Sequence, residues 1–302
     1  MKAVTRAQVR RLVPPPLQPA ARSVYLRLGP ATSSLRMVPS FLVIGGQRCG
    51  TTSIFKALSA HPQVMRPPVE KGTDYYTLWH DRGLDWYRGH FPMQSVSRLR
   101  TSRAGGPVAF EACTYYVFHP CAIERIAQDF PDIKLVVMLR DPVERAYSAY
   151  KHEHAREFDT EADFSRALDL EDERVRGEEE RLRADSGYQS FAWRHHAYAR
   201  RGQYAEQLER VFTHFSRDQV HVMQSEVFFE QPEAEFAGLV RFLGLTPWAP
   251  RTFDQHNARP GRPMPDDARR RLSEHFRDHD QRLADLLHER PRWMAHETSR
   301  ES

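Results

Sequence analysis

Phe41-Leu42-Val43-Ile44-Gly45-Gly46-Gln47-Arg48-Cys49-Gly50-Thr51-Thr52-Ser53 places an apolar run, a glycine-rich loop and the opening of a helix in immediate succession. The apolar residues, flanked by proline and glycine, have the length and setting of a buried strand. Over residues 52–60, Ile54, Phe55 and Leu58 share one helical face, and Pro62 stops the pattern. Glycines let backbone N–H groups turn inward and a helix N-terminus adds partial positive charge, so such a loop suits a phosphate or sulfate. The hydroxyls of Thr51, Thr52 and Ser53 can donate further hydrogen bonds. The frame GxxxxGK[ST] fits at Gly45 and Gly50, but Thr51 stands where the lysine belongs and the loop's cation is Arg48.

A second stretch sharpens that reading. Leu135, Val136, Val137, Met138 and Leu139 run without a break and end at Arg140. A magnesium-dependent nucleotide hydrolase needs an aspartate at such a strand end. A cation there favours a phosphate-rich nucleotide held by arginines without an obligatory metal. Asp141-Pro142-Val143-Glu144 then opens a helix, with Asp141 as N-cap, Pro142 at the first helical position and Glu144 at the capping-box position. Arg145, Ser148 and His152 follow on one helical face. Arg140 with the Ser148 hydroxyl makes a clamp for one phosphate.

Working outward, strands are expected over 108–110 and 220–223, and helices over 121–129, 143–155, 204–215, 233–243 and 266–287. Strands alternating with helices imply an α/β fold with a central, mainly parallel sheet flanked by helices on both faces. Residues 1–38 read as a basic, proline-containing N-terminal arm without fixed structure, 39–290 as one domain and 291–302 as a tail. Alternating charge over 157–187 reads as a solvated helical insertion, with a mobile lid as the sharper alternative.

At 302 residues, 40% hydrophobic and 28% charged, the chain can bury a sizeable core, and a net charge of only +4 does not imply nucleic-acid binding. Cys49, Cys113 and Cys121 share no CxxC spacing, which speaks against a disulfide scaffold and for a reducing compartment. The proline run at 14–16 interrupts the place where a signal peptide needs its apolar core, and a cytoplasmic location is expected.

Together, Gly45 to Ser53 and Leu139-Arg140-Asp141-Pro142-Val143-Glu144-Arg145-Ala146-Tyr147-Ser148 resemble the two nucleotide motifs of the sulfotransferase family that uses 3′-phosphoadenosine 5′-phosphosulfate (PAPS), especially its carbohydrate-type and bacterial members. Weaker similarity runs through Gly83 to Tyr87, Arg201 to Tyr204 and Phe242 to Leu245. The resemblance implies a P-loop-like fold, PAPS as donor and no metal. It places Arg48, Cys49, Gly50, Thr51, Thr52 and Ser53 around the 5′-phosphosulfate and Arg140 and Ser148 at the 3′-phosphate. Arg259, Gly261 and Arg262 resemble a late loop that closes over the nucleotide.

The family's catalytic glutamate precedes a histidine and an aromatic pair, but alignment on Tyr75-Tyr76 puts Gly72 at the glutamate and Asp74 at the histidine. Glu70, Asp74 and Glu111 are therefore the candidate bases, with Arg48 stabilising the leaving phosphate. His195 and His196, beside Trp193, could touch an acceptor. Tyr75, Tyr76, Trp79, Trp86 and Tyr87 offer either acceptor-stacking surface or core. The acceptor, a carbohydrate, glycolipid or small natural product, is not named by the sequence. A P-loop small-molecule kinase and a non-catalytic nucleotide-binding module are the alternatives.

Overall fold

In the computed structural model, which describes residues 18–253 and 263–297, five strands form one sheet. They are β1 (Phe41–Gly45), β2 (Val64–Met65), β3 (Val108–Ala112), β4 (Lys134–Leu139) and β5 (Val220–Gln224), in the order β2-β3-β1-β4-β5. Every pairing is parallel, with Phe41 beside both Phe110 of β3 and Lys134 of β4. Parallel strands are buried on both faces, which is why β1 and β4 read as unbroken apolar runs. Leu42, Ile44, Leu135 and Val137 pack on one face with the helices Ala122–Asp129 and Tyr204–His214. Phe41, Val43, Val136 and Met138 pack on the other with the helices Thr51–Ala60 and Pro232–Leu243.

The chain leaves β1 toward β2 and β3 on one side, then crosses to β4 and β5 on the other. That reversal opens a crevice at the carboxyl ends of β1 and β4, the place where open α/β sheets bind ligands. The glycine loop and Arg140 both sit at this edge.

One expectation is corrected. The arm is helical over Gln18–Leu28 and forms a 3-10 turn over Pro30–Leu35. It docks on the body: Tyr25 Oη and Arg36 Nη1 each donate to the Phe91 carbonyl at 2.8 Å, and Ser33 Oγ donates to Asp85 at 2.6 Å. The stretch 157–187 is helical and largely exposed, with Arg183 and Glu179 paired four apart, and it is anchored to the body by the buried Phe164, Ala167, Val175 and Leu182 and by Glu171, which accepts from the Ala199 and Arg200 amides. Tyr75, Tyr76 and Tyr87 are core, with the Tyr75 and Tyr87 rings stacked at 4.7 Å. The two-residue β2 was not foreseen, since it is too short to show any period.

Phe110 is fully buried between the rings of Phe41, at 4.9 Å, and Phe55, at 5.3 Å, and so ties the sheet to the helix that follows the loop. Phe110→Ala is expected to cost about 3–5 kcal/mol. The check is a lower urea midpoint with an unchanged slope.

Candidate active site

β1 delivers the chain into the loop at Gly45, and the helix starting at Thr51 carries it away. Gly50 precedes that helix at φ 84°, a left-handed conformation that glycine adopts without strain. Arg48 lies at φ 69°, a region that a residue with a Cβ holds only where its surroundings impose it. The Gly46 amide donates to the Met138 carbonyl at 2.7 Å and fixes the loop against β4. Thr51 and Thr52 line the cleft beside Arg48, whereas Ser53 is buried in the first helical turn. The Cys49 side chain is fully buried among core residues, with its sulfur 3.7 Å from Tyr204 Oη, so only its backbone faces the loop's ligand side.

The second motif meets the first here. Asp141 caps the helix Pro142–His154 by accepting from the Val143 and Glu144 amides at 2.9 and 3.3 Å. This cap orients the helix so that Ser148 Oγ accepts from Arg48 Nε at 3.0 Å, across 100 residues of sequence. Arg140 Nη1 reaches the Arg48 carbonyl at 3.4 Å, while the Arg140 carbonyl is held by Tyr204 Oη at 2.8 Å. Among the described residues no carboxylate forms a salt bridge with Arg140. Arg145, on the same helix, is fully buried and donates to the Tyr198 carbonyl, so it belongs to the core. Arg259, Gly261 and Arg262 lie outside the described residues.

Beside the loop opens a cleft of about 540 Å³. Its floor is the end of β3 and the turn after it, and its far wall comes from the end of the helix Pro142–His154 and from the helix Phe191–His195.

Residues 39–257 match the family model described as a sulfotransferase domain. The chain belongs to the sulfotransferase family. Its sequence is 27% identical over 296 residues to the bifunctional heparan sulfate N-deacetylase/N-sulfotransferase 3 of Mus musculus, covering 86% of this chain and 31% of that one. It is 24% identical to the membrane-associated sulfotransferase kil1 of Dictyostelium discoideum, covering 88% of this chain and 68% of the other. The sulfotransferase thus spans about a third of the length of the heparan sulfate relatives it matches. Among solved structures, the sulfotransferase of Alicyclobacillus acidocaldarius superposes with a TM-score of 0.60 at 29% identity, over 84% of this chain and 97% of that one. Membership separates two of the readings left open by the sequence: the chain has the P-loop-like fold of the sulfotransferases and belongs with them, not with the small-molecule kinases.

The sulfotransferase spreads its three candidate carboxylates through different environments. Glu70 lines the cleft rim, half exposed, and pairs with Arg22 of the helix Gln18–Leu28. Asp74 also lines the cleft, with Oδ2 accepting from Arg194 Nη2 at 3.0 Å and Oδ1 from the Cys113 thiol at 2.9 Å. Glu111 lies beneath the floor, fully buried, and accepts from Tyr116 Oη at 2.8 Å, Tyr87 Oη at 3.1 Å and the Thr73 amide at 2.7 Å. It does not face an acceptor. At Gly72, a Cβ would sit 2.6 Å from the Ala112 carbonyl oxygen, because the Lys71 carbonyl pairs with the Ala112 amide at 3.1 Å. The glutamate of the family pattern has no room at that position in this backbone.

Several site residues escaped the sequence reading. Lys71 lies in the cleft wall and donates to Thr51 Oγ1 at 3.2 Å. Burial lowers its pKa to about 8, leaving it mostly charged at neutral pH. Glu153 accepts from Gln47 Nε2 of the loop at 2.8 Å and pairs with His195 Nδ1 at 2.9 Å. Arg201 is buried against the rings of Tyr115 and Phe118 at 5.0 and 4.8 Å and reaches the same cleft. The only signal for Lys71 was its place beside Glu70. His195 was singled out only as a possible acceptor contact beside Trp193, and nothing pointed to Glu153 or to their pairing, because 42 residues separate them. His275 and His279, four apart on the helix Asp266–Leu287, both meet the Gln203 amide, at 3.2 and 3.4 Å, far along the chain from the cleft residues. Among the described residues no group of three ligating side chains gathers for a metal.

Burial raises the Glu111 pKa from 4.5 to about 7, against the lowering effect of its three donors. Between those two values the folded protein keeps a proton that the unfolded chain has released, so Glu111 makes stability fall as pH rises through the window and level off above it. Glu111→Gln is expected to flatten that part of the profile. Urea midpoints measured across the window check it, and an unchanged slope would count against the assignment.

Proposed function

We propose that the chain transfers the sulfuryl group of 3′-phosphoadenosine 5′-phosphosulfate to a hydroxyl or amine of a carbohydrate acceptor, with residues 39–290 as its catalytic domain. The observation that carries this reading is the Arg48–Ser148 hydrogen bond, which joins the glycine loop to the helix Pro142–His154 that follows the arginine-bearing strand end. The residues present fit a donor with two anionic ends. Loop amides, the Thr51 and Thr52 hydroxyls and Arg48 would hold the 5′-phosphosulfate. Arg140, which forms no salt bridge among the described residues, and Ser148 would hold the 3′-phosphate. Cys49 would contribute through its backbone alone. When bound, the donor supplies a sulfuryl group already attached to a good leaving phosphate.

Arg48 and Lys71 place two cations at the mouth of the loop, where negative charge grows as that phosphate leaves. Arg156, Arg194 and Arg201 give the cleft a cationic wall that suits an acceptor bearing acidic groups. The names of the mouse relatives, which speak of heparan sulfate N-sulfotransfer, support a saccharide.

Adenosine 3′,5′-bisphosphate is expected to raise the melting temperature where ATP with magnesium does not. A hydrogen bond from a charged group is worth about 1.5–3 kcal/mol, so Arg140→Ala should lose about ten- to a hundredfold in affinity for the bisphosphate but little for adenosine 5′-phosphate. Equal losses in calorimetry would remove Arg140 from the 3′ site. Arg48→Ala should lower kcat more than it raises the donor KM, as expected of a contact that strengthens in the transition state. Unchanged kcat at saturating donor would leave Arg48 a binding residue only.

A further inference from the structure

Gln47, Glu153 and His195 form a chain of hydrogen bonds from the loop to the acceptor cleft. Glu153 is almost wholly enclosed, its side chain 2% exposed, and spends one oxygen on Gln47 Nε2 and the other on His195 Nδ1. An ionised carboxylate only accepts, so Nδ1 must carry the imidazole proton. Nε2, on the opposite edge of the ring, is then the lone-pair nitrogen. The ring lines the cleft, and the rings of Phe158 and Phe191, each 4.6 Å away, limit its other orientations. This is the arrangement in which a buried carboxylate fixes tautomer and direction for a histidine that takes a proton.

The three carboxylates suggested by the sequence lack this combination. Glu111 has no opening to the cleft, Asp74 has both oxygens engaged, and Glu70 is half exposed in an ion pair. Resting on the donor assignment above, we infer that His195 is the general base of the transfer and that Glu153 is its positioning residue. The acceptor O–H or N–H gives its proton to Nε2 while the freed electron pair forms the bond to sulfur. The bond from sulfur to the bridging phosphate oxygen breaks, and its electron pair leaves with adenosine 3′,5′-bisphosphate. The imidazolium so formed is held by Glu153 and then returns the proton to solvent.

Around the ring stand Glu153 from the helix Pro142–His154, Arg194 from its own helix and Arg201 from the following turn. Burial lowers the His195 pKa below its ordinary value of 6.5, and Glu153 works against that fall more than Arg194 and Arg201 add to it. The ring is therefore unprotonated at neutral pH, and turnover falls as pH drops through its pKa. Glu153→Gln removes the partner that raises this pKa, so the acid limb should move to lower pH.

Wild type, His195→Asn and Glu153→Gln decide the matter with three readouts. These are release of adenosine 3′,5′-bisphosphate from the donor with water and with a glucosamine oligosaccharide, calorimetric binding of the same bisphosphate, and the His195 titration by nitrogen-15 NMR. General-base catalysis contributes about 10²–10⁴-fold, and His195→Asn should lose release by that factor and lose the acid limb, with bisphosphate affinity within about twofold. In Glu153→Gln the NMR pKa and the acid limb should shift down together, a coupling that damaged packing would not produce. The base assignment is overturned by wild-type release from His195→Asn, by an acid limb that survives in it, or by a limb that stays put in Glu153→Gln. Failure of wild type to bind the bisphosphate overturns the donor reading and the base with it.

Discussion

The hydrogen bond from the Gly46 amide to the Met138 carbonyl is short, joins two segments far apart in the sequence and is decisive for the geometry of the site. It holds the loop that leaves β1 against β4 just before β4 ends, and so brings the loop within reach of Arg140. Everything assigned to the donor depends on that alignment. Arg48 finds Ser148, Arg140 finds the Arg48 carbonyl, and the capped helix Pro142–His154 points its far end, with Glu153, back at Gln47. A parallel sheet makes this economical, because all five strands finish at one edge and the groups following them are gathered without long loops.

The same edge concentrates groups that are costly to bury. Arg145, Arg201, Glu111 and Glu153 all lie within the protein, each engaged by carbonyls, hydroxyls, aromatic faces or an opposite charge. Such groups contribute little net stability, yet removing one partner leaves the other stranded at a high cost. They make the cleft rigid. A rigid cleft favours chemistry that depends on placing an acceptor in line with a leaving group.

How much of this could be read from the sequence follows the range of the interactions. The strand, loop and helix at 41–60 and the strand and capped helix at 134–154 are built from contacts within a few residues, and their signals are written in adjacent positions. The helix over Asp266–Leu287 was equally plain, because its apolar face repeats over many turns. The arm was misread because Tyr25, Ser33 and Arg36 are anchored by polar contacts to partners more than fifty residues away, which leave no periodic trace. The charged stretch hid its anchors for a related reason: its scattered Phe164, Val175 and Leu182 reach the core from three short helices, none long enough to display an apolar stripe. Arg48, Arg140 and Ser148 were legible as a pair of motifs. His195 was legible only as a possible acceptor contact, and Lys71, Glu153 and the Glu153–His195 pairing were not legible, since their roles arise only where separate segments meet.

Gly72 shows what a missing side chain can mean. Counting family residues along the chain would score that position as a lost acid and the protein as a degenerate relative. In three dimensions the position is not vacant: the backbone has closed on β3, and the 2.6 Å approach to the Ala112 carbonyl leaves no space for any Cβ. A glutamate cannot enter there by a single substitution without displacing the backbone, so a proton acceptor in this cleft has to come from another wall. Sorting such proteins into active and inactive members by residue inventory alone would misfile those that rebuilt the same chemistry around a different backbone.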